Sequence, residues 1–161
     1  LVDINLVNKV SDELKKQRQT VATAESCTGG LLAHTLTNIS GSSDYFNRGV
    51  ISYSNISKQE LLDVPEQELQ EYGAVSQQVA ESMAKGIRQK ASVDYGLATT
   101  GIAGPTGGTK DKPVGLVYIA IATKDHVIAK RFLFQGNRLT NKENTVTAIL
   151  EMLLELLSLK S

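Results

Sequence analysis

Cysteine occurs once in the 161 residues, at Cys27, which excludes an intrachain disulfide and suits a reducing compartment. Two histidines and one cysteine are too few for a Cys/His structural zinc site, so no metal is expected. Neither charge sign is in excess: Lys+Arg and Asp+Glu both number 17, leaving no net field to draw nucleic acid or an anionic membrane. Aromatic residues make up 5% and tryptophan is absent, which also disfavours nucleic-acid binding. No apolar run approaches the ~20 residues of a membrane span, and the N-terminus carries no apolar signal-peptide segment. A cytoplasmic globular protein is expected, with neither nucleic acid nor membrane as partner. What remains is ordinary for a globular chain, 41% hydrophobic and 21% charged, and long enough for one domain over 1–161 with a real core.

The pattern alternates helices and strands, without internal repeats. Residues 5–17 place Leu6, Val7, Val10 and Leu14 at helical spacing. Residues 20–24 are short and β-branched, a first strand. The segment Glu25-Ser26-Cys27-Thr28-Gly29-Gly30 then turns into a helix through Leu31, Leu32 and Leu36. A second strand is expected over 49–53, short helices over 58–63 and 66–72, and a longer helix capped by Ser76. Residues 95–100 read as a third strand. The apolar stretches 114–122 and 127–134 have only four residues between them, which dictates a hairpin. Thr140 and Glu143 have the spacing of a capping box before a last helix through Val146, Ile149, Leu150, Leu153, Leu154 and Leu157. Early β-α alternation followed by a hairpin predicts a Rossmann-like three-layer α/β/α sandwich on a mixed, mostly parallel sheet of about five strands.

Ligands of open α/β sheets sit beyond the carboxyl ends of the strands, where two unusual loops, 25–30 and 101–109, both fall. Ser26 lies where a strand gives way to a helix, with Gly29 and Gly30 permitting close backbone approach. Unpaired N–H groups at a helix start can bind a phosphate or an oxyanion. The alternative is that Ser26 or Thr28 merely caps the helix. A serine nucleophile needs a base. His34 is about two turns into the helix and His126 is in the hairpin turn, so a Ser-His-Asp triad is not expected. Lys58 follows Tyr53-Ser54-Asn55 and can reach the same sheet edge; as a base its pKa must fall from ~10.4 toward ~7–8. Otherwise it is a solvated surface lysine. The loop from Gly101 through Gly104 and Pro105 to Gly107 and Gly108 matches neither the dinucleotide fingerprint nor the P-loop, and reads equally as an anion cradle or a tight turn. Arg138 can clamp a phosphate or carboxylate, or sit idle at the surface. Cys27 is a second nucleophile candidate or a packing residue.

Taken together, Ala24-Glu25-Ser26-Cys27-Thr28-Gly29-Gly30, Gly41-Ser42-Ser43, Tyr53-Ser54 with Lys58, Gly73-Ala74-Val75-Ser76, Thr100-Gly101-Ile102-Ala103-Gly104-Pro105 with Gly107-Gly108, and Lys112-Pro113-Val114-Gly115 resemble the CinA C-terminal-domain family of nicotinamide mononucleotide deamidases. The matches are in order and span nearly the whole chain. The resemblance implies hydrolysis of the carboxamide of nicotinamide mononucleotide to nicotinate mononucleotide and ammonia, in pyridine-nucleotide (NAD) recycling, with no cofactor. It implies Ser26 as nucleophile, Lys58 as its base and Tyr53 nearby. Cys27, Thr28, Gly29 and Gly30 are expected on the substrate side with the oxyanion amides; Thr100, Gly101, Gly104, Gly107, Gly108 and Arg138 are expected to hold the ribose phosphate. A homodimer or higher homo-oligomer is expected. Larger relatives carry a nucleotide-pyrophosphatase-like domain for which 161 residues leave no room, so that activity is not expected. Two departures stand out: Gly136-Asn137-Arg138 where the family often has Gly-Asp-Arg, and Asn141-Lys142 where a basic residue often follows. The competing reading is a catalytically inactive nucleotide-binding or scaffolding module, which does not require Ser26 and Lys58 to meet.

Overall fold

The computed structural model describes residues 1–160. Helix α1 (Ile4–Gln17) starts at Asp3, whose carboxylate accepts from the Asn5 N–H, and leads into strand β1 (Val21–Glu25). Helix α2 (Leu31–Thr37) and strand β2 (Phe46–Ile51) follow, then the short helices α3 (Asn55–Leu62) and α4 (Glu66–Tyr72). Helix α5 (Gln77–Ala91) is capped by Ser76 as its sequence anticipates, the hydroxyl accepting from the Val79 N–H. Strands β3 (Tyr95–Gly101), β4 (Leu116–Ala122) and β5 (Val127–Leu133) precede the long helix α6 (Arg138–Ser158).

The five strands form one mixed sheet in the order β2-β1-β3-β4-β5. β1 runs parallel to β2 and β3, while β4 is antiparallel to both β3 and β5. Four strands therefore point one way and only β4 opposes them, the α/β/α arrangement expected. The two sheet faces differ in side-chain size. Val21, Leu97, Val117, Ile119 and Ile121 face α1, α2 and α6. Ala22, Ala24, Ala98, Ala120 and Ala122 face α3, α4 and α5. Small residues let α5 approach closely: a Cβ on Gly96 would lie 2.2 Å from the Ala84 carbonyl oxygen, and one on Gly86 would lie 2.0 Å from that of Leu62.

Strand β2, strand β4 and the cap of α6 differ from expectation for identifiable reasons. Strand β2 covers 46–51 rather than 49–53, because Phe46-Asn47-Arg48 join an edge strand whose exposed face needs no apolar alternation; a bulge falls at its start. Ser52 and Tyr53 are thereby released from the sheet. Strand β4 begins at Leu116 rather than at Val114, since Gly115 turns at φ +91° with its Cα against the Phe134 carbonyl. The Thr140–Glu143 capping box does not form. Asn137 caps α6 instead, its side chain accepting from the Thr140 N–H at 2.9 Å, and Glu143 accepts from the N-terminal ammonium at 2.6 Å. Asparagine outranks threonine as an N-cap, and the chain already turns at Gly136, which is held by Asn141.

Candidate active site

All four like-pointing strands deliver candidate residues from their carboxyl ends. Ser26 follows β1, the 101–108 loop continues β3, and Arg138 opens α6 after β5. Beyond β2, Ser54 caps α3 by exchanging bonds with Ser57, so α3 starts at once and Lys58 lies in its first turn, rotated inward.

Lys58 is 1% exposed, an unusual state for a lysine. Its Nζ donates to Ser26 Oγ at 3.0 Å, to the Ser52 carbonyl at 2.8 Å and to the Tyr53 carbonyl at 3.0 Å. Among the described residues no carboxylate is within ion-pair distance of it. Burial pushes its pKa down to about 8, with the neighbouring Cys27 acting in the opposite direction. In the neutral amine the two remaining N–H bonds satisfy the two carbonyls. The lone pair is then left facing Ser26 Oγ, which becomes the donor. Ser26 itself is 8% exposed, its N–H continuing the sheet ladder to the Thr99 carbonyl at 3.0 Å.

The turn after Ser26 is organised by Glu25, which the sequence reading left without a role. Its buried carboxylate accepts from the Thr28 hydroxyl at 2.5 Å and from the N–H groups of Gly30, Leu32 and Ala33 at 3.2, 2.8 and 3.0 Å. Thr99 completes the chain, its hydroxyl 2.7 Å from that of Thr28. Two alternatives left open by the sequence are thereby decided, and the expected set of turn amides is narrowed. Neither Ser26 nor Thr28 caps α2, because Gly30 occupies the cap position and Glu25 serves the amides from a distance. The start of α2 is filled by that carboxylate, so it is closed to a phosphate. The Gly29 amide is also committed, to the Ser26 carbonyl at 3.1 Å, which leaves the Cys27 and Thr28 N–H groups of this turn without an oxygen partner among the described residues. An acid just before the turn, three residues ahead of a threonine and close to a helix start, was the available signal.

Gly29 and Gly30 take φ of +57° and +104°, conformations that favour glycine. Cys27 is buried and its thiol is pushed up to about 12, chiefly by burial, so it is no thiolate at neutral pH and belongs to the core under α2. Tyr53 contributes its carbonyl to Lys58 while its ring stands exposed, its hydroxyl accepting from Arg138 Nη2 at 3.1 Å. Arg138 also donates through Nη1 to the Gly104 carbonyl at 2.7 Å. Asn141, buried at 1% exposure, donates to the carbonyls of Ala103 and Gly136 and so fixes the same loop to α6.

The structure thus joins Ser26, Lys58, Tyr53 and Arg138 in one chain of contacts. Among the described residues the glycine-rich loop is hydrogen-bonded to that chain at Gly104. Thr100 is buried, donating to the Ala74 carbonyl at 2.8 Å, and Gly101 lies against Leu116 and Val117. Gly108 is in backbone contact with Val114, and a side chain on Gly107 would meet Ile102. Beside Arg138 a shallow cavity of ≈ 450 Å³ is lined by Ala103, Pro105, Val114 and Leu139. Cavities of similar size around Arg88, Thr123 and His126 lie at the opposite end of the sheet. His34 contacts Asn38 on the surface and His126 sits in the β4–β5 turn, so neither histidine meets Ser26. At the first departure, Asn137 Oδ1 makes the capping bond that an aspartate would make.

Comparison with known proteins gives concordant results. The sequence model of the CinA C-terminal domain matches residues 3–157. The chain is 50% identical over 139 residues to a competence-damage inducible protein of Thermoanaerobacter pseudethanolicus, covering 86% of this chain and 34% of that protein. It is 49% identical over 152 residues to a CinA-like protein of Syntrophus aciditrophicus, covering 94% and 36%. It therefore spans about a third of the length of these curated relatives. The crystal structure of the competence/damage inducible protein CihA from Agrobacterium tumefaciens superposes with a TM-score of 0.94 at 38% identity, over 97% of this chain and 98% of that one.

Proposed function

Because the chain belongs to the CinA C-terminal domain family, and because its Ser26 and Lys58 meet in a buried pair, we propose that it is an amidohydrolase that converts nicotinamide mononucleotide to nicotinate mononucleotide and ammonia. The observation that carries this reading is Lys58 Nζ, 3.0 Å from Ser26 Oγ, with its other two bonds going to main-chain carbonyls. A scaffolding or purely nucleotide-binding module has no use for a lysine buried without a counter-ion against a serine hydroxyl, since that burial costs stability.

Neutral Lys58 takes the proton of Ser26 Oγ as the oxygen attacks the carboxamide carbon. The Cys27 and Thr28 amides receive the oxyanion; one such donor contributes ~2.7–4 kcal/mol to the barrier. Collapse of the tetrahedral intermediate breaks the C–N bond, and the Lys58 ammonium returns its proton to the departing ammonia. Water, activated by the same amine, then hydrolyses the Ser26 ester. Tyr53 and Arg138 border the mouth of the site and contact the remainder of the substrate.

The test is ammonia release from nicotinamide mononucleotide by wild type and Ser26→Ala. Turnover in the wild type and its loss in the variant, with mononucleotide binding retained, is the expected result. Turnover near the wild-type level in Ser26→Ala overturns the acyl-enzyme mechanism, and wild type that binds without hydrolysing returns the chain to the binding-module reading.

A further inference from the structure

At the end of the sheet remote from Ser26, a cavity of ≈ 460 Å³ opens between the start of β3, the β4–β5 turn and the end of α6. Its size is that of a small-molecule pocket. Ile128, Leu156 and Leu159 give it an apolar wall. Tyr95, the first residue of β3, lines it as well; the residue is 1% exposed and its ring is part of the core shared with α1 and α6. Among the described residues the Tyr95 hydroxyl has no hydrogen-bond partner, and it is shut off from solvent. An unpaired buried hydroxyl works against folding, and phenylalanine fills the same space without it. Folding alone therefore gives no reason for a phenol at this position.

The charges around the cavity are of both signs with cations ahead: Arg88, Lys124 and Lys160 against Asp94 and Asp125. Lys160 Nζ stands over the Tyr95 ring, 5.4 Å from its centre, and among the described residues it is in no ion pair. The Nε of half-buried Arg88 donates to the Asp94 carbonyl at 3.1 Å, and among the described residues its guanidinium likewise has no carboxylate partner. Asp94 instead accepts from the N–H and the hydroxyl of Thr20, at 2.8 and 3.0 Å. A wholly apolar ligand would leave the phenol unpaired, and a cation would be repelled by Lys160. An anion with an apolar body answers both, since an ionised acceptor makes the stronger hydrogen bond with a hydroxyl and attracts the ammonium.

We propose that this cavity is a second ligand site, which takes a small monocarboxylate with an apolar body. The body lies against Ile128, Leu156 and Leu159. The carboxylate accepts from the Tyr95 hydroxyl and pairs with the Lys160 ammonium, which stands over the same ring, and Arg88 adds to the positive field from the side of α5. Nothing in this site uses Ser26 or Lys58, so it holds or fails independently of the amidohydrolase reading.

The experiment titrates the isotope-labelled full chain with phenylacetate, and with phenylethanol as its uncharged counterpart, while backbone amide chemical shifts are followed. Phenylacetate should give saturable shifts that cluster at Gln19, Tyr95, Ile128 and Leu156 and spare Gly29 and Gly104, and phenylethanol should bind about tenfold more weakly or worse. Tyr95→Phe should weaken phenylacetate about tenfold, yet its urea midpoint should equal or exceed that of wild type, because the hydroxyl removed is unpaired in the free protein. Lys160→Gln, at an exposed position that leaves the core untouched, should weaken phenylacetate by a similar factor and phenylethanol not at all. The absence of saturable shifts overturns the proposal, and so do shifts confined to the Ser26 end of the sheet. Equal affinity for the acid and the alcohol removes the anion from it. Undiminished affinity in Tyr95→Phe together with a lower urea midpoint makes the hydroxyl a folding element and overturns the site. If Tyr95→Phe proves too unstable to titrate, Lys160→Gln decides: unchanged phenylacetate affinity in that variant overturns the proposal, and selective loss of it supports it.

Discussion

The depressed pKa of Lys58 makes a quantitative demand on the pH dependence of catalysis. With a pKa of about 8, close to 9% of the amine is neutral at pH 7, whereas a lysine at its ordinary 10.5 would be about 0.03% neutral, a difference of roughly 300-fold in active base. The second ionisation of a phosphomonoester lies near pH ~6, so between pH 7 and 10 the substrate keeps its charge. Over that window kcat/KM should climb about tenfold from pH 7 to 9 and then level, with a midpoint near 8. Lys58→Arg preserves the charge but cannot release a proton, and should be inactive throughout. The same displacement has a thermodynamic face. The folded-state pKa lies below the unfolded one, so the unfolded chain holds its proton to higher pH, and folding is favoured progressively between about 8 and 10.5. At ~1.4 kcal/mol per pH unit the gain approaches 3 kcal/mol. Urea titrations of wild type and Lys58→Met should therefore diverge by about that amount in favour of wild type from pH 7 to 10.5, whatever constant offset the lost hydrogen bonds introduce. A flat rate profile, a midpoint near 10.5, or activity that falls as pH rises through 8 refutes Lys58 as the base.

Two further predictions concern the frame around the pair. Glu25→Gln places an amide N–H₂ against backbone donors that now face a carboxylate; it should lower stability by about 1–3 kcal/mol in urea titration and reduce kcat at least tenfold with little change in KM, while native values of both would remove Glu25 as the organiser of the turn. Gly86→Ala drives a methyl to 2.0 Å from the Leu62 carbonyl oxygen, so it should cost about 2 kcal/mol despite alanine's better helix propensity; a gain in stability would mean that α3 yields freely against α5.

Much of the architecture was legible because its signals are local. Alternating apolar strands, the Ser76 cap and the four-residue link between β4 and β5 each dictate their own geometry, and together they leave few arrangements of the sheet. Where the reading slipped, a non-local contact decided. Phe46-Asn47-Arg48 become strand through pairing with β1, and Gly115 breaks a strand because Phe134 lies against it. At the candidate site, composition and spacing left Ser26 and Lys58 each with a bland alternative, and their pairing 32 residues apart is a property of the fold. Glu25 escaped because a carboxylate at a strand end reads as solvated until the folded helix brings its amides round. In the glycine-rich loop, which reads equally as an anion cradle or a tight turn, β4 and Val114 lie against Gly101 and Gly108 and give a packing reason for their small size.

The two carbonyls that orient Lys58 have a consequence for how such a site changes over time. Main-chain oxygens carry no side-chain identity, so drift at positions 52 and 53 cannot delete the acceptors as long as the chain leaves β2 along the same path. The Ser26–Lys58 pairing is thus anchored in the route of the backbone, while the recognition proposed for Tyr53 and Arg138 rests on replaceable side chains. On the amidohydrolase reading proposed above, a domain built this way exchanges one carboxamide-bearing ligand for another without dismantling the Ser26–Lys58 pair.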